Sequence, residues 1–182
     1  MVNRDFKNNY KIVYVNNQLG HCTINRASNY VNKYYNYTRE DTGFIYLDLN
    51  FLKSDYNDLD GSEEEDVLIL RGHEIDKLYD IKCDVMVITF NECLPLLDEA
   101  MFKDKKLAYV IYSIPTENQQ SDNGKAGGQS DIRPKFERFC EVADKLVCPS
   151  YFLMDKILEI NPKYEEKIKV MLCRLQGVVY TQ

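Results

Sequence analysis

The chain has 182 residues, 45% of them hydrophobic and 29% charged, with a net charge of −6. That length and composition suit one substantial domain with its own core. The acidic balance argues against a basic nucleic-acid-binding face, no apolar run approaches a membrane span, and the polar opening Met1 to Tyr10 does not read as a secretory signal.

The six cysteines, Cys22, Cys83, Cys93, Cys140, Cys148 and Cys173, contain no Cys-x-x-Cys pair. Several fall within apolar strands or helix faces, which predicts reduced, packing thiols of a cytoplasmic protein rather than zinc ligands or a disulfide frame.

Element types alternate along the chain. Residues 11–15 read as a strand, followed by the loop Asn16 to His21. A helix is predicted over 24–35, with Ala27, Tyr30, Val31 and Tyr34 on one face. Residues 44–49 and 67–70 are the next strands, and a short helix near 74–79 leads to Asp84-Val-Met-Val-Ile-Thr-Phe90. This is the most hydrophobic strand and the one expected at the centre of the sheet. Asn91-Glu92-Cys93 then opens a helix carrying Leu96, Leu97, Ala100 and Met101, and residues 107–113 form another buried strand.

Residues 116–131 are polar and glycine-rich without periodicity, and are expected to be a mobile loop. A helix over 134–142 begins with a proline in its first turn, where the missing N–H has no partner to lose. The last third reads as a buried strand ending near Cys148, a helix capped by Ser150, a charged connector, and a second buried strand before Met171. Strands joined by helices in this order predict an α/β fold: a single doubly wound Rossmann-like domain over 1–182, with a mostly parallel sheet and helices on both faces.

Open parallel sheets bind ligands beyond the carboxyl ends of their strands, and that edge supplies the candidate residues. Asn16, Asn17 and Gly20 follow the first strand, where they can hold a phosphate or sugar hydroxyl or simply form a turn. Asn91 and Glu92 end the central strand. Glu92 is a candidate acid–base or sugar-binding group, and the plain alternative is an Asn cap followed by an acidic first-turn residue. Tyr112 and Ser113 offer hydroxyls at the end of the next strand, and Ser150 lies after the one that follows. His21 is the better placed of the two histidines for catalysis, although no carboxylate partner is evident. Arg133, Lys135 and Arg138 gather at a helix start and are read either as an anion or partner contact, including an anionic membrane surface met together with Phe136 and Phe139, or as a solvated face over inward-packed phenylalanines.

Other motifs fail on inspection. Asp58, Asp60 and Gly61 imitate a calcium loop, but its first and last ligand positions would be Tyr56 and Val67. Gly124-Lys125 lacks the remainder of a P-loop, no Gly-x-Gly-x-x-Gly occurs, and no metal site is indicated.

Three segments together resemble the N-terminal, acceptor-side domain of retaining glycosyltransferases of the GT-B fold, the group that includes glycogen-synthase-like enzymes. Cys83-Asp-Val-Met-Val-Ile-Thr-Phe-Asn-Glu92 is similar to a strand ending in His-Asn-Glu in that family. Leu107 to Pro115 looks like the strand that follows. Ala143-Asp-Lys-Leu-Val-Cys-Pro-Ser150 matches the most specific of the three, an Ala-Asp-x-(Ile/Leu)-(Ile/Val)-x-x-Ser strand and helix. The resemblance spans roughly residues 11–172. It implies a sugar or glycan acceptor held here, a nucleotide sugar as donor substrate, no tightly bound cofactor, and a donor-binding second domain or partner chain.

The departures are equally specific. The family's donor half carries two glutamates with seven residues between them, and this chain has no such pair. Phe90 stands in place of the His-Asn-Glu histidine, Tyr112-Ser113 replaces another, and only Gly20 remains of the glycine-rich first loop. The expectation is therefore half of an enzyme, inactive alone, whether as a piece of a longer chain, one half of a two-chain enzyme or a degenerate relative. The alternative is a non-catalytic Rossmann-like module that binds a nucleotide, a sugar or another protein.

Overall fold

Seven strands build one sheet: β1 (Ile12–Asn16), β2 (Thr42–Asp48), β3 (Val67–Arg71), β4 (Val85–Ile88), β5 (Lys106–Val110), β8 (Lys145–Cys148) and β9 (Ile168–Val170). They come from a computed structural model that describes residues 10–16, 31–38, 40–48, 67–122 and 129–171. Their order is β3-β2-β1-β4-β5-β8-β9, and every neighbouring pair is parallel. The uninterrupted apolar runs explain why: strands covered on both faces need no polar alternation. β4 is the middle strand, as its hydrophobicity predicts.

Helices lie on both faces of the sheet. One face presents Ile12, Tyr14, Phe44, Val85, Val87, Ala108, Val110 and Val147, against which Val31 and Tyr35 of a helix over residues 31–35 (α1) pack. The other face presents Val13, Val15, Ile45, Leu47, Met86, Ile88, Tyr109, Leu146 and Ile168. It is covered by α2 (Ile132–Val142) through Phe136 and Phe139, by α3 (Tyr151–Ile160) through Ile157, and by 3-10 segments at Gly72–Asp80, Asn91–Leu96 and Glu99–Phe102. The domain is thus a doubly wound α/β fold of Rossmann-like order.

Several elements differ from the sequence expectation. The helix opened by Asn91 is two 3-10 segments, because Pro95 has no N–H to donate to the Asn91 carbonyl and the α ladder fails in its first full turn. Of the helix expected over 24–35, residues 24–30 lie outside the described residues. Within the rest, Val31 and Asn32 turn to the sheet, whereas Tyr34 is 48% exposed. The segment over 116–131 carries β6 (Gln120–Asp122) and β7 (Gln129–Asp131), an antiparallel pair, with residues 123–128 outside the described set. α2 begins two residues earlier than predicted, with Pro134 still in the first turn.

Buried polar groups on the α1 face are joined in a chain. The Tyr14 hydroxyl donates to Asn32 Oδ1 at 2.7 Å, Asn32 Nδ2 donates to Thr42 Oγ1 at 2.8 Å, and the Thr42 hydroxyl donates to the Thr38 carbonyl at 2.7 Å. Each group is satisfied, so their burial carries no unpaired-polar penalty. At the start of the last strand pair, the Lys167 amine donates to the Glu141 and Ala143 carbonyls at 2.7 and 2.9 Å, closing the open carboxyl end of α2.

A Cβ on Gly43 in β2 would lie 2.5 Å from the buried Tyr10 ring. Gly43→Ala is expected to cost about 1–3 kcal/mol in urea denaturation, whereas an unchanged midpoint would contradict the close approach. The described cysteines are free thiols, and burial pushes Cys83, Cys93 and Cys140 from 9.0 up to about 12 and Cys148 up to about 11. The unfolded chain gives up these protons above pH 9 while the folded chain keeps them. Their contribution to stability is therefore complete below pH 9 and is lost as the pH rises towards the folded values. Denaturation midpoints followed across that range should decline; a flat profile would contradict the burial of the thiols.

Candidate functional site

The winding reverses between β1 and β4. β1 pairs with β2 on one side and β4 on the other, and the crossovers leaving β1 and β4 run over opposite faces. In open parallel sheets the region beyond the carboxyl ends of the strands at such a switch point is the usual ligand position. Asn16 ends β1 there, 3% exposed, with Tyr46 of β2 as its register partner. Next to it Thr89 follows β4, its N–H donating to the Val15 carbonyl at 3.2 Å. Asn17, Gly20 and His21 lie outside the described residues.

A polar cluster joins the ends of β4 and β5. The buried Tyr109 hydroxyl donates to Asn91 Oδ1, and Asn91 Nδ2 donates to the Ser113 carbonyl at 2.8 Å and to Ser113 Oγ at 3.3 Å. Asn91 is itself only 4% exposed, so its carboxamide is consumed by bracing the two strand ends. The cap reading of Asn91 is therefore corrected: its side chain points across the sheet edge instead of back along its own segment, whose cap residue is Phe90. Burial drives the Tyr109 phenol well above its ordinary value, keeping it a hydrogen-bond donor at any physiological pH.

The relay Tyr109 to Asn91 to Ser113 ends at an exposed residue. Beside it Phe90 and Tyr112 stack with ring centroids 5.6 Å apart and planes 27° from parallel, both half-buried. Glu92, also half-buried, follows Asn91, and its carbonyl accepts from the Ser121 hydroxyl at 2.8 Å, which ties β6 to this edge. Of the residues singled out from sequence, Asn91, Glu92, Tyr112 and Ser113 are thus neighbours at one strand edge.

Ser150 and the three cations are placed differently. Ser150 Oγ accepts from the Leu153 N–H at 3.2 Å, so its lone pair caps α3. Arg133 bonds Glu137 at 2.6 Å and the Pro115 carbonyl at 3.2 Å, and Lys135 bonds the Leu97 carbonyl at 2.9 Å. Arg138 bonds Glu99 at 2.7 Å and Glu141 at 3.0 Å. These bonds tie α2 to its surroundings; Arg133 and Arg138 are paired with carboxylates, whereas Lys135 meets a neutral carbonyl. The membrane reading of this helix is corrected, since Phe136 and Phe139 are fully buried and give the surface no apolar anchor.

Sequence reasoning passed over Phe90 as a stacking partner, Tyr109 as the root of the relay, and the β6–β7 arm. The arm had a signal: the tripeptide Gln-Ser-Asp occurs at 120–122 and again at 129–131, around an Asn-Gly dipeptide. Among the described residues no group of His, Cys, Asp and Glu side chains is arranged to hold a metal ion.

Replacing Asn91 by Leu leaves the Tyr109 hydroxyl and the Ser113 carbonyl without this partner, at a cost of about 2–3 kcal/mol. Tyr109→Phe should cost less, about 1 kcal/mol, and the two changes should be strongly non-additive in a double-mutant cycle. Additive losses would mean that the two groups do not act through one bond.

Compared with protein-family profiles, with curated proteins and with solved structures, the chain matches none.

Proposed function

We propose that this chain is the acceptor-side domain of a nucleotide-sugar-dependent glycosyltransferase, with the donor bound by a second domain or partner chain. The single observation that carries the reading is the arrangement at the carboxyl edge of β4 and β5. There a stacked aromatic pair, a braced serine and a half-buried glutamate follow the ends of two adjacent strands, one of which borders the switch point. Mostly apolar surface with a few fixed polar groups is the usual make-up of a small-ligand site. In this reading Glu92, half-buried after the end of β4, would take a proton from an acceptor hydroxyl. Transfer itself needs donor and acceptor held together, so the chain alone is expected to bind acceptor and to turn over negligibly.

The test is a binding comparison on the full chain. Thermal shift and saturation-transfer NMR with a panel of oligosaccharides and of nucleotide sugars should show contact with at least one oligosaccharide and no tight association with any nucleotide sugar. Tight binding of a nucleotide sugar, or of a free nucleotide, would overturn the acceptor-side assignment and support the non-catalytic nucleotide-binding alternative.

A further inference from the structure

Side chains alternate along β8 and β9. Leu146, Ile168 and Val170 turn towards α2 and α3, whereas Val147 turns to the α1 face with Lys145 and Lys169 on its side. Such alternation marks a sheet face that is partly open to water. Between α1 and these strands lies a shallow depression of about 260 Å³, its open mouth included. Buried Val31, Ala108 and Val147 supply its apolar lining, and Tyr34 and Tyr35 its aromatic lining, with ring centroids 5.0 Å apart and edge to face. Lys145 and Lys169 complete it.

Lysines often lay their stems on apolar surface and keep the ammonium group in water. Here two of them converge on one depression. Lys169 is the register partner of Val147, and Lys145 lies two residues before Val147, so the lysines are diagonal neighbours on adjacent strands and repel each other. Among the described residues neither has an ion pair or a side-chain hydrogen bond, whereas Lys11, Arg133 and Arg138 are paired with carboxylates. Asp144, next to Lys145 in sequence, directs its carboxylate to the Leu107 N–H at 2.7 Å. Exposed Lys106 opens β5 on the same face. In a chain of net charge −6, this is a local concentration of uncompensated positive charge. A bound anion relieves the repulsion, and the apolar and aromatic lining takes the uncharged body attached to it.

We infer that this depression binds a small organic anion, with its carboxylate or phosphate group between Lys145 and Lys169 and its apolar body against Val31, Val147 and Tyr34. The volume lies below the usual range of about 300–1,000 Å³ for drug-sized ligands, which limits the body to about one ring or a short hydrocarbon chain. None of these residues belongs to the cluster of Asn91, Glu92, Tyr112 and Ser113, so the site stands independently of the acceptor-side reading.

The experiment is an amide-shift titration of the full chain with 3-phenylpropionate and phenyl phosphate, and separately with 3-phenylpropanol and inorganic phosphate. At least one of the two organic anions should shift the amides of residues 31, 34, 35, 108, 145–147 and 169 saturably, and the comparison of the two tells carboxylate from phosphate. The alcohol and inorganic phosphate should bind about tenfold more weakly or not at all. Lys145→Gln and Lys169→Gln should each weaken the organic anion about threefold and together about tenfold, whereas Lys106→Gln, outside the lining, should leave it within about twofold. Lys169 is exposed and Lys145 half-buried, so both variants are expected to fold. An alcohol or inorganic phosphate that binds as well as the organic anions, a double variant that binds like the parent, shifts confined to other residues, or no saturable shift with either organic anion overturns the site. A shift of these same amides on dilution without ligand gives the depression to a second copy of the chain and overturns it as well.

Discussion

Every strand of the main sheet runs parallel to its neighbours, and the rest of the molecule follows from that constraint. A parallel pair cannot be closed by a tight turn, so each connection must cross from one edge of the sheet to the other and cover a face as it goes. All strands therefore end at one edge, where the chain leaves the sheet repeatedly and short polar segments accumulate. The clasp of Tyr109, Asn91 and Ser113 exists because β4 and β5 finish side by side there, and it holds the departing chain where two crossovers begin.

The segment Ala143 to Ser150 is explained almost wholly by architecture. The Asp144 N–H donates to the Leu107 carbonyl at 2.8 Å, and its carboxylate accepts from the Leu107 N–H at 2.7 Å, so one residue locks the entry of β8 against β5. At the other end Ser150 caps α3. Both polar residues of the motif serve backbone hydrogen bonds, which is why such a motif speaks clearly of a fold and weakly of chemistry.

The sheet was legible in the sequence because its strands are short unbroken apolar runs, and a run such as Val85 to Ile88 has few other places to go. The Ser150 cap was legible for the same local reason. What could not be read was anything decided between distant segments. Asn91 looks like a cap residue from its own neighbourhood, and only the approach of Tyr109 and Ser113, 18 and 22 positions later, takes its amide elsewhere. The three α2 cations likewise look available until Glu99, Leu97 and Pro115 arrive from other elements. Asn32 was overlooked because a polar residue in a helix is first assigned to solvent, and the partners that admit it to the interior, Tyr14 and Thr42, lie on strands.

One margin of the sheet also bears on how the molecule avoids its own copies. Among the described residues β9 is the terminal strand on its side, only three residues long, with exposed Lys169 at its midpoint. A bare strand margin is a template on which another chain can extend the hydrogen-bonded ladder. Brevity and a central ammonium group are the means by which natural sheets deny that growth. A strand of three residues with an ammonium group at its midpoint offers a poor template for a further strand, so Lys169 works against the stacking of one copy of this sheet on another.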